Sequence, residues 1–282
     1  VAEPFFPKER LIILGGGHVA LPVAEFGARV GFLVTVVDDR LSFANPGRFP
    51  MAEKVICDDF GHAIKELKIQ ESDYICIVTR GHRHDADCLR MIGKGKEPAY
   101  LGMIGSRRRV GIVKQELLEE GYDPERMSRL KSPIGLKIGG VTPEEIAISI
   151  LAEIIQVKRM DREDKRVKNR SDLDFDVLKR LAEEPDEPKA VVTVIESKGS
   201  SPRGAGAKMI VYRDGRILGS IGGGCSEAAV LGEARSLIGS GRYKVVHVDL
   251  TGEAAEDEGM VCGGIMDVLV EDFATDREPC DR

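Results

Sequence analysis

Residues 10–24 read RLIILGGGHVALPVA. A short apolar run enters three glycines and leaves directly into a segment with apolar residues at Val19, Val23, Phe26 and Val30, which is helical spacing. Gly15-x-Gly17-x-x-Ala20 fits the dinucleotide fingerprint G-x-G-x-x-G/A, in its required place between strand and helix. A side chain at Gly17 would hold a pyrophosphate away from the backbone N–H groups of the helix N-terminus, where the dipole favours an anion. Asp38 and Asp39 close the next apolar run, LVTVVDD, where a carboxylate would bind ribose hydroxyls. Such an acidic pair favours NAD or an adenosine over NADP, whose 2′-phosphate it would repel. The alternative is a doubly wound domain whose nucleotide site is vestigial.

Outward from that turn, strands and helices alternate. EKVIC (53–57), DYICIVT (73–79) and AYLGMIG (99–105) read as strands; AIKELK (63–68), HRHDADCLRMI (82–92) and RVGIVKQELLEEG (109–121) read as helices. Alternation of this kind, with near-continuously apolar strands, predicts a parallel sheet covered on both faces. TPEEIAISILAEIIQVKR closes the block, with Thr142 as cap, Pro143 at the first position and Glu145 completing a capping box. From Lys158 to Asp176 the chain is dense in both charges, and PDEP stops a short helix at 185–188. AVVTVIE (190–196), the hairpin signal around Asp214-Gly215, a helix after GGGC, YKVVHVDL (243–250) and IMDVLVEDF (265–273) follow. The expected fold class is α/β: a Rossmann-like doubly wound parallel sheet over residues 1–157, a charged linker and short helix over 158–188, and a smaller α+β domain over 189–282.

Two loops fall at strand ends, where open α/β sheets bind ligands. TRGHRHDAD (79–87) offers His82, His84, Asp85 and Asp87, either as a metal or acid–base cluster or as a polar helix start. GSRRR (105–109) places Ser106, Arg107 and Arg108 at a helix start, suited to phosphate or to a solvated face. In the second domain Cys225 sits between three glycines and a helix N-terminus, and Cys262 precedes Gly263-Gly264. Backbone N–H groups at a helix start favour a thiolate, and flanking glycines clear space for an approaching group. The bland alternative is a pair of cysteines chosen for small size in tight turns.

Lys and Arg number 41 against 47 Asp and Glu, a net charge of -6 that gives no reason to expect nucleic acid or an anionic membrane as partner. No apolar run approaches the roughly 20 residues that span a bilayer. Six dispersed cysteines and no charged-then-apolar export signal lead us to expect a cytoplasmic protein with reduced thiols.

The stretches GGGHVALPVAEFGARVGFLVTVVDDR, FANPGRFP, TRGHRHD, LGMIGSRRR and SPIGLKIGGVTPEEIAISILAEI resemble the nucleotide-binding domain of the XdhC/CoxI family, the xanthine dehydrogenase accessory factors. VTVIESKGSSPRGAGAKMIV, GSIGGGCSEAAV and VCGGIMDVLVE resemble that family's other domain, which commonly comes first; here the order is reversed. The resemblance implies an accessory protein that binds the molybdenum cofactor, a molybdopterin, assists its sulfuration, and inserts it into a molybdenum hydroxylase apo-enzyme. A cysteine desulfurase is the second implied partner, and the reversed order suggests a homodimer. Carried over by position, Cys225 is the leading functional thiol and candidate metal contact, with Cys262 beside it. Gly15, Gly17 and Asp38 match the nucleotide pocket, to which the acidic pair adds Asp39, and His82, Asp85 and Arg107 match the strand-end loops, while Arg203 of SSPRG is a candidate phosphate ligand. NAD or FAD remains open as a second cofactor. Two other functions stay open: an NAD-dependent oxidoreductase using His82 as acid or base, and a nucleotide-sensing module that only docks to a hydroxylase.

Overall fold

The computed structural model describes residues 8–160, 174–184, 186–199, 203–249 and 264–273. The chain divides into two compact units between Arg170 and Ser171.

In the first unit, five strands form one parallel sheet: β1 (Arg10–Leu14), β2 (Leu33–Asp38), β3 (Lys54–Cys57), β4 (Tyr74–Ile77) and β5 (Tyr100–Met103). Their order is β3-β2-β1-β4-β5, so the chain reverses direction across the sheet between β1 and β4. In open α/β sheets ligands bind at such a switch point, beyond the C-terminal strand ends. The apolar runs supply both faces. Leu11 and Ile13 point into one core with α1 (Ala20–Arg29) and α6 (Pro143–Met160), whereas Ile12 and Leu14 point into another with α2 (Phe60–Leu67), α3 (His82–Gly93) and α4 (Arg107–Glu119). Each of these fully buried side chains contributes about 1.5–3 kcal/mol through removal from water. A short helix absent from the sequence expectation, α5 (Pro124–Arg129), also packs there through Met127.

The expected capping box forms at α6. Glu145 Oε2 accepts from the N–H groups of Val141 and Thr142 at 2.7 and 3.0 Å, and the Glu145 N–H donates to Thr142 Oγ1 at 3.3 Å. Ala147, Ile150, Leu151 and Ile154 form the buried stripe, with Val157 half-buried at its end.

In the second unit an antiparallel sheet runs β8-β7-β6-β10-β9, built from β6 (Lys189–Gly199), β7 (Lys208–Tyr212), β8 (Ile217–Gly219), β9 (Tyr243–Asp249) and β10 (Gly264–Phe273). The alternation along β10 follows the sequence: Met266, Val268 and Val270 are buried, their neighbours half-exposed. Helix α8 (Gly224–Leu237) covers one face through Val230, Ala234 and Leu237. On the other lies α7 (Phe175–Glu183), with Val177 against Ile210 and Tyr212. The short helix expected in the linker therefore packs on the second unit's sheet.

Candidate functional site

The glycine turn between β1 and α1 is held by the Gly15 N–H, which donates to Val37 O at 2.7 Å. Gly15 has φ +111°, and a Cβ there would lie 2.5 Å from Val78 O at the end of β4. A Cβ on Gly16 would lie 2.2 Å from Phe43 O. Both glycines are therefore demanded by the protein's own packing. Gly17 differs, because a Cβ there would meet nothing within 4 Å. Helix α1 begins after Val19 with no side-chain cap, so the N–H groups of Ala20 and Leu21 have no intrahelical or side-chain partner among the described residues. The cradle fits an anionic phosphate.

Asp38 and Asp39 stand at the end of β2, each paired with an arginine. The Asp38 side chain is 2% exposed. Its Oδ2 accepts from the Gly16 N–H at 2.8 Å and Arg40 Nη2 at 3.0 Å; its Oδ1 accepts from Arg40 Nε at 2.8 Å and the Arg40 N–H at 3.1 Å. Asp39 is gripped by both terminal nitrogens of Arg80, at 2.5 and 2.8 Å. Arg48 donates to the carbonyls of Gly16 and Gly17 at 3.1 and 3.3 Å, tying the segment after β2 over the turn. Sequence reasoning missed these three arginines. The only signal was the DDR and FANPGRFP wording itself, since no spacing rule brings Arg48 or Arg80 to the turn.

Burial pushes the Asp38 carboxyl up, yet the Arg40 guanidinium and the two backbone N–H groups outweigh it and hold the group below the ordinary 3.8. A carboxyl whose folded pKa is depressed stabilises the fold above its unfolded pKa, and that contribution is lost as pH falls through the folded value. Asp38→Asn should therefore destabilise the protein at neutral pH, and the difference from wild type should shrink below pH 3.8. Urea unfolding at both pH values checks this; an unchanging difference would exclude the charge as the cause.

At the ends of β4 and β5 the expected His/Asp cluster is dispersed. Asp85 is fully buried and points inward, accepting from Thr79 Oγ1 at 2.5 Å and from Arg109 Nη2. Asp87 turns outward to Arg90 at 2.8 Å. His82 is exposed on the first turn of α3, and His84 lies edge-on to Phe60 at 5.5 Å. Among the described residues no three His, Cys, Asp or Glu side chains gather to hold a metal ion. The polar helix start is thus the arrangement found. Ser106 caps α4 through the Arg109 N–H at 3.3 Å, while Arg107 and Arg108 are exposed. It is Arg109, one residue beyond the expected pair, that enters the strand-end region, and its Nε is buried without a partner among the described residues.

In the second unit, Cys225 is the second residue of α8, preceded by Gly222, Gly223 and Gly224, all at positive φ. Only glycine adopts that run cheaply, and the Gly222 N–H donates to Ser220 Oγ at 3.1 Å. Glu227 Oε1 accepts from the Gly223 N–H at 3.0 Å and from Ser220 Oγ at 2.7 Å, which fixes the turn. Cys225 is half-buried at the margin of the core. Cys76 and Cys88 are buried outright, and burial pushes both thiols far up, leaving them protonated and inert. Arg203 is half-buried just before the Gly204–Gly206 turn. Cys262 and its flanking residues on both sides, up to Gly263, lie outside the described residues.

These two glycine motifs lie within two family matches: residues 11–154 match the XdhC Rossmann domain, and residues 182–249 match the XdhC and CoxI family. The chain belongs to the XdhC family. Its Rossmann domain precedes the XdhC and CoxI region, the order read from the sequence. XdhC relatives include YqeB of Escherichia coli (strain K12), 37% identical over 54% of this chain and 28% of YqeB. A probable xanthine dehydrogenase subunit of Bacillus subtilis (strain 168) is 34% identical over 54% of this chain and 44% of its own. The E. coli molybdenum cofactor insertion chaperone PaoD is 40% identical over 26% of this chain and 23% of PaoD. The matched part of this XdhC chain thus spans less than half of each. Among solved structures, a xanthine dehydrogenase from Bacillus halodurans aligns at 34% identity with a TM-score of 0.51, covering 58% of this chain and 48% of that one. Among the described residues, no helix is long and apolar enough to cross a membrane.

Proposed function

We propose that this XdhC chain is a maturation factor that binds molybdenum cofactor, assists its sulfuration, and inserts it into a xanthine dehydrogenase-type molybdenum hydroxylase. The observation that supports this most is Cys225, a half-buried thiol on the first turn of α8 behind three positive-φ glycines. A molybdopterin presents a phosphate and a soft, sulfur-bound metal. Thiolate suits the metal end, and glycine N–H cradles suit the phosphate. Cys262 and Arg203 serve the same ligand. The apo-hydroxylase and a cysteine desulfurase are its partners, it works in the cytoplasm, and it pairs as a homodimer. Gly15, Gly17 and the strand-end residues His82 and Arg107 hold a dinucleotide of the nicotinamide or flavin class; Asp38, Asp39 and Asp85 shape that pocket through the arginines they hold.

Protein purified from a molybdenum-replete host should retain a molybdopterin detectable by mass spectrometry. Gly17→Ala should fold like wild type, because its Cβ meets open space, yet lose at least about tenfold in nucleotide affinity by displacing the phosphate from the helix N–H groups. Undiminished binding would remove the glycine turn from the site. The oxidoreductase reading has less support: His82 has no carboxylate to orient it among the described residues.

A further inference from the structure

We infer that the nucleotide crevice of the first unit selects a ligand carrying a 2′-phosphate on its adenosine ribose, the NADP type, over the unphosphorylated NAD type. The inference rests on the reading that the Gly15–Gly17 turn binds a dinucleotide, and it reverses the preference that Asp38 and Asp39 suggest as bare letters.

A ribose 2′-hydroxyl is a donor and needs an acceptor at the end of the second strand; a 2′-phosphate needs donors there. The carboxylate that would serve the hydroxyl is spent. Both oxygens of Asp38 are saturated by Arg40 and the Gly16 N–H, and the side chain is sealed from solvent. Asp39 is held end-on by Arg80, with Arg40 Nε 3.8 Å from its Oδ1.

What this rim offers to solvent is therefore guanidinium. Arg40 uses Nε and Nη2 on Asp38, leaves Nη1 without a partner among the described residues, and is one-third exposed. Its plane lies over the Phe43 ring at 3.7 Å, which fixes the fork. Arg80 is more exposed still, and its Nε is likewise unpartnered among the described residues. Arg48, over the glycine carbonyls, adds a third guanidinium beside the two that Asp38 and Asp39 hold. The carboxylates orient the forks; they do not cancel them. The open Gly17 cradle receives the diphosphate at the start of α1, while Gly16 is shielded by Phe43 O, and the 2′-phosphate then falls on the Arg40–Arg80 side.

The test titrates the full chain with NADP+, NAD+, 2′-AMP and 3′-AMP by calorimetry. NADP+ should bind about tenfold or more tightly than NAD+, and 2′-AMP more tightly than 3′-AMP, which has the same charge. Arg40→Gln should abolish the preference for NADP+ over NAD+. Arg80→Gln, on the exposed rim, carries the same test should the Arg40 variant fail to fold. NAD+ binding as tightly as NADP+ overturns the inference and leaves the glycine-turn reading standing. Equal binding of 2′-AMP and 3′-AMP reduces the rim to unspecific basic attraction and also overturns it. No binding of either dinucleotide overturns the glycine-turn reading and the inference together.

Discussion

Replacing Cys225 with alanine is expected to abolish maturation of a co-expressed molybdenum hydroxylase while leaving the fold intact. The two halves of that statement have separate causes. The side chain is half-buried at the margin of the α8 core, so its removal leaves little cavity and should cost less than about 1 kcal/mol. The turn before it is held by Glu227 and Ser220. If the thiolate is what engages the soft metal end of the cofactor, the hydroxylase should emerge inactive and the purified variant should lack molybdopterin. Cys76→Ala is the control: a fully buried thiol on β4, kept protonated, whose loss should lower stability and leave maturation unchanged. Normal maturation by the Cys225 variant would end the claim that this sulfur handles cofactor.

Arg109→Met should be the most destabilising single change at the strand-end loops. It strands Asp85, a fully buried carboxylate whose remaining described partner is the Thr79 hydroxyl. Breaking a buried ion pair from one side costs about 3–5 kcal/mol, and since Arg109 is itself 27% exposed the lower end applies. Burial already pushes Asp85 up, against the pull of Thr79 and Arg109, and removal of Arg109 pushes it further. A carboxyl with a raised folded pKa stabilises below its unfolded pKa and loses that contribution as pH rises through the folded value. The deficit should therefore be large at neutral pH and shrink on acidification. Denaturant midpoints across pH measure it. A loss of the same size at every pH would mean that packing, not charge, is what Arg109 supplies.

Arg109 also shows where the sequence stopped being legible. RRR at a helix start announced phosphate chemistry, but which of three identical letters turns inward depends on the helix phase and on where Asp85 lies. Ser106 capping the Arg109 N–H sets that phase, and only then do Arg107 and Arg108 face solvent. The same holds for TRGHRHDAD. Four metal-capable side chains in nine residues suggest a cluster, yet a helix starting at His82 sends Asp85 inward and Asp87 outward, a pair of positions that do not share a face.

The family motifs, the strand–glycine–helix opening, the parallel first sheet, the capping box of α6 and the alternating β10 were all written in the sequence. Each is announced by residues close together in the chain: periodicity, a cap three positions away, a glycine triplet between an apolar run and a helical one. The first sheet's strand order and the partners of Asp38 and Asp39 were decided by tertiary structure alone. Arg48 reaches the turn through a folded-back segment and Arg80 from the loop after β4, so the pairing of Asp39 with Arg80 and of Arg48 with the glycine carbonyls was settled by long-range packing.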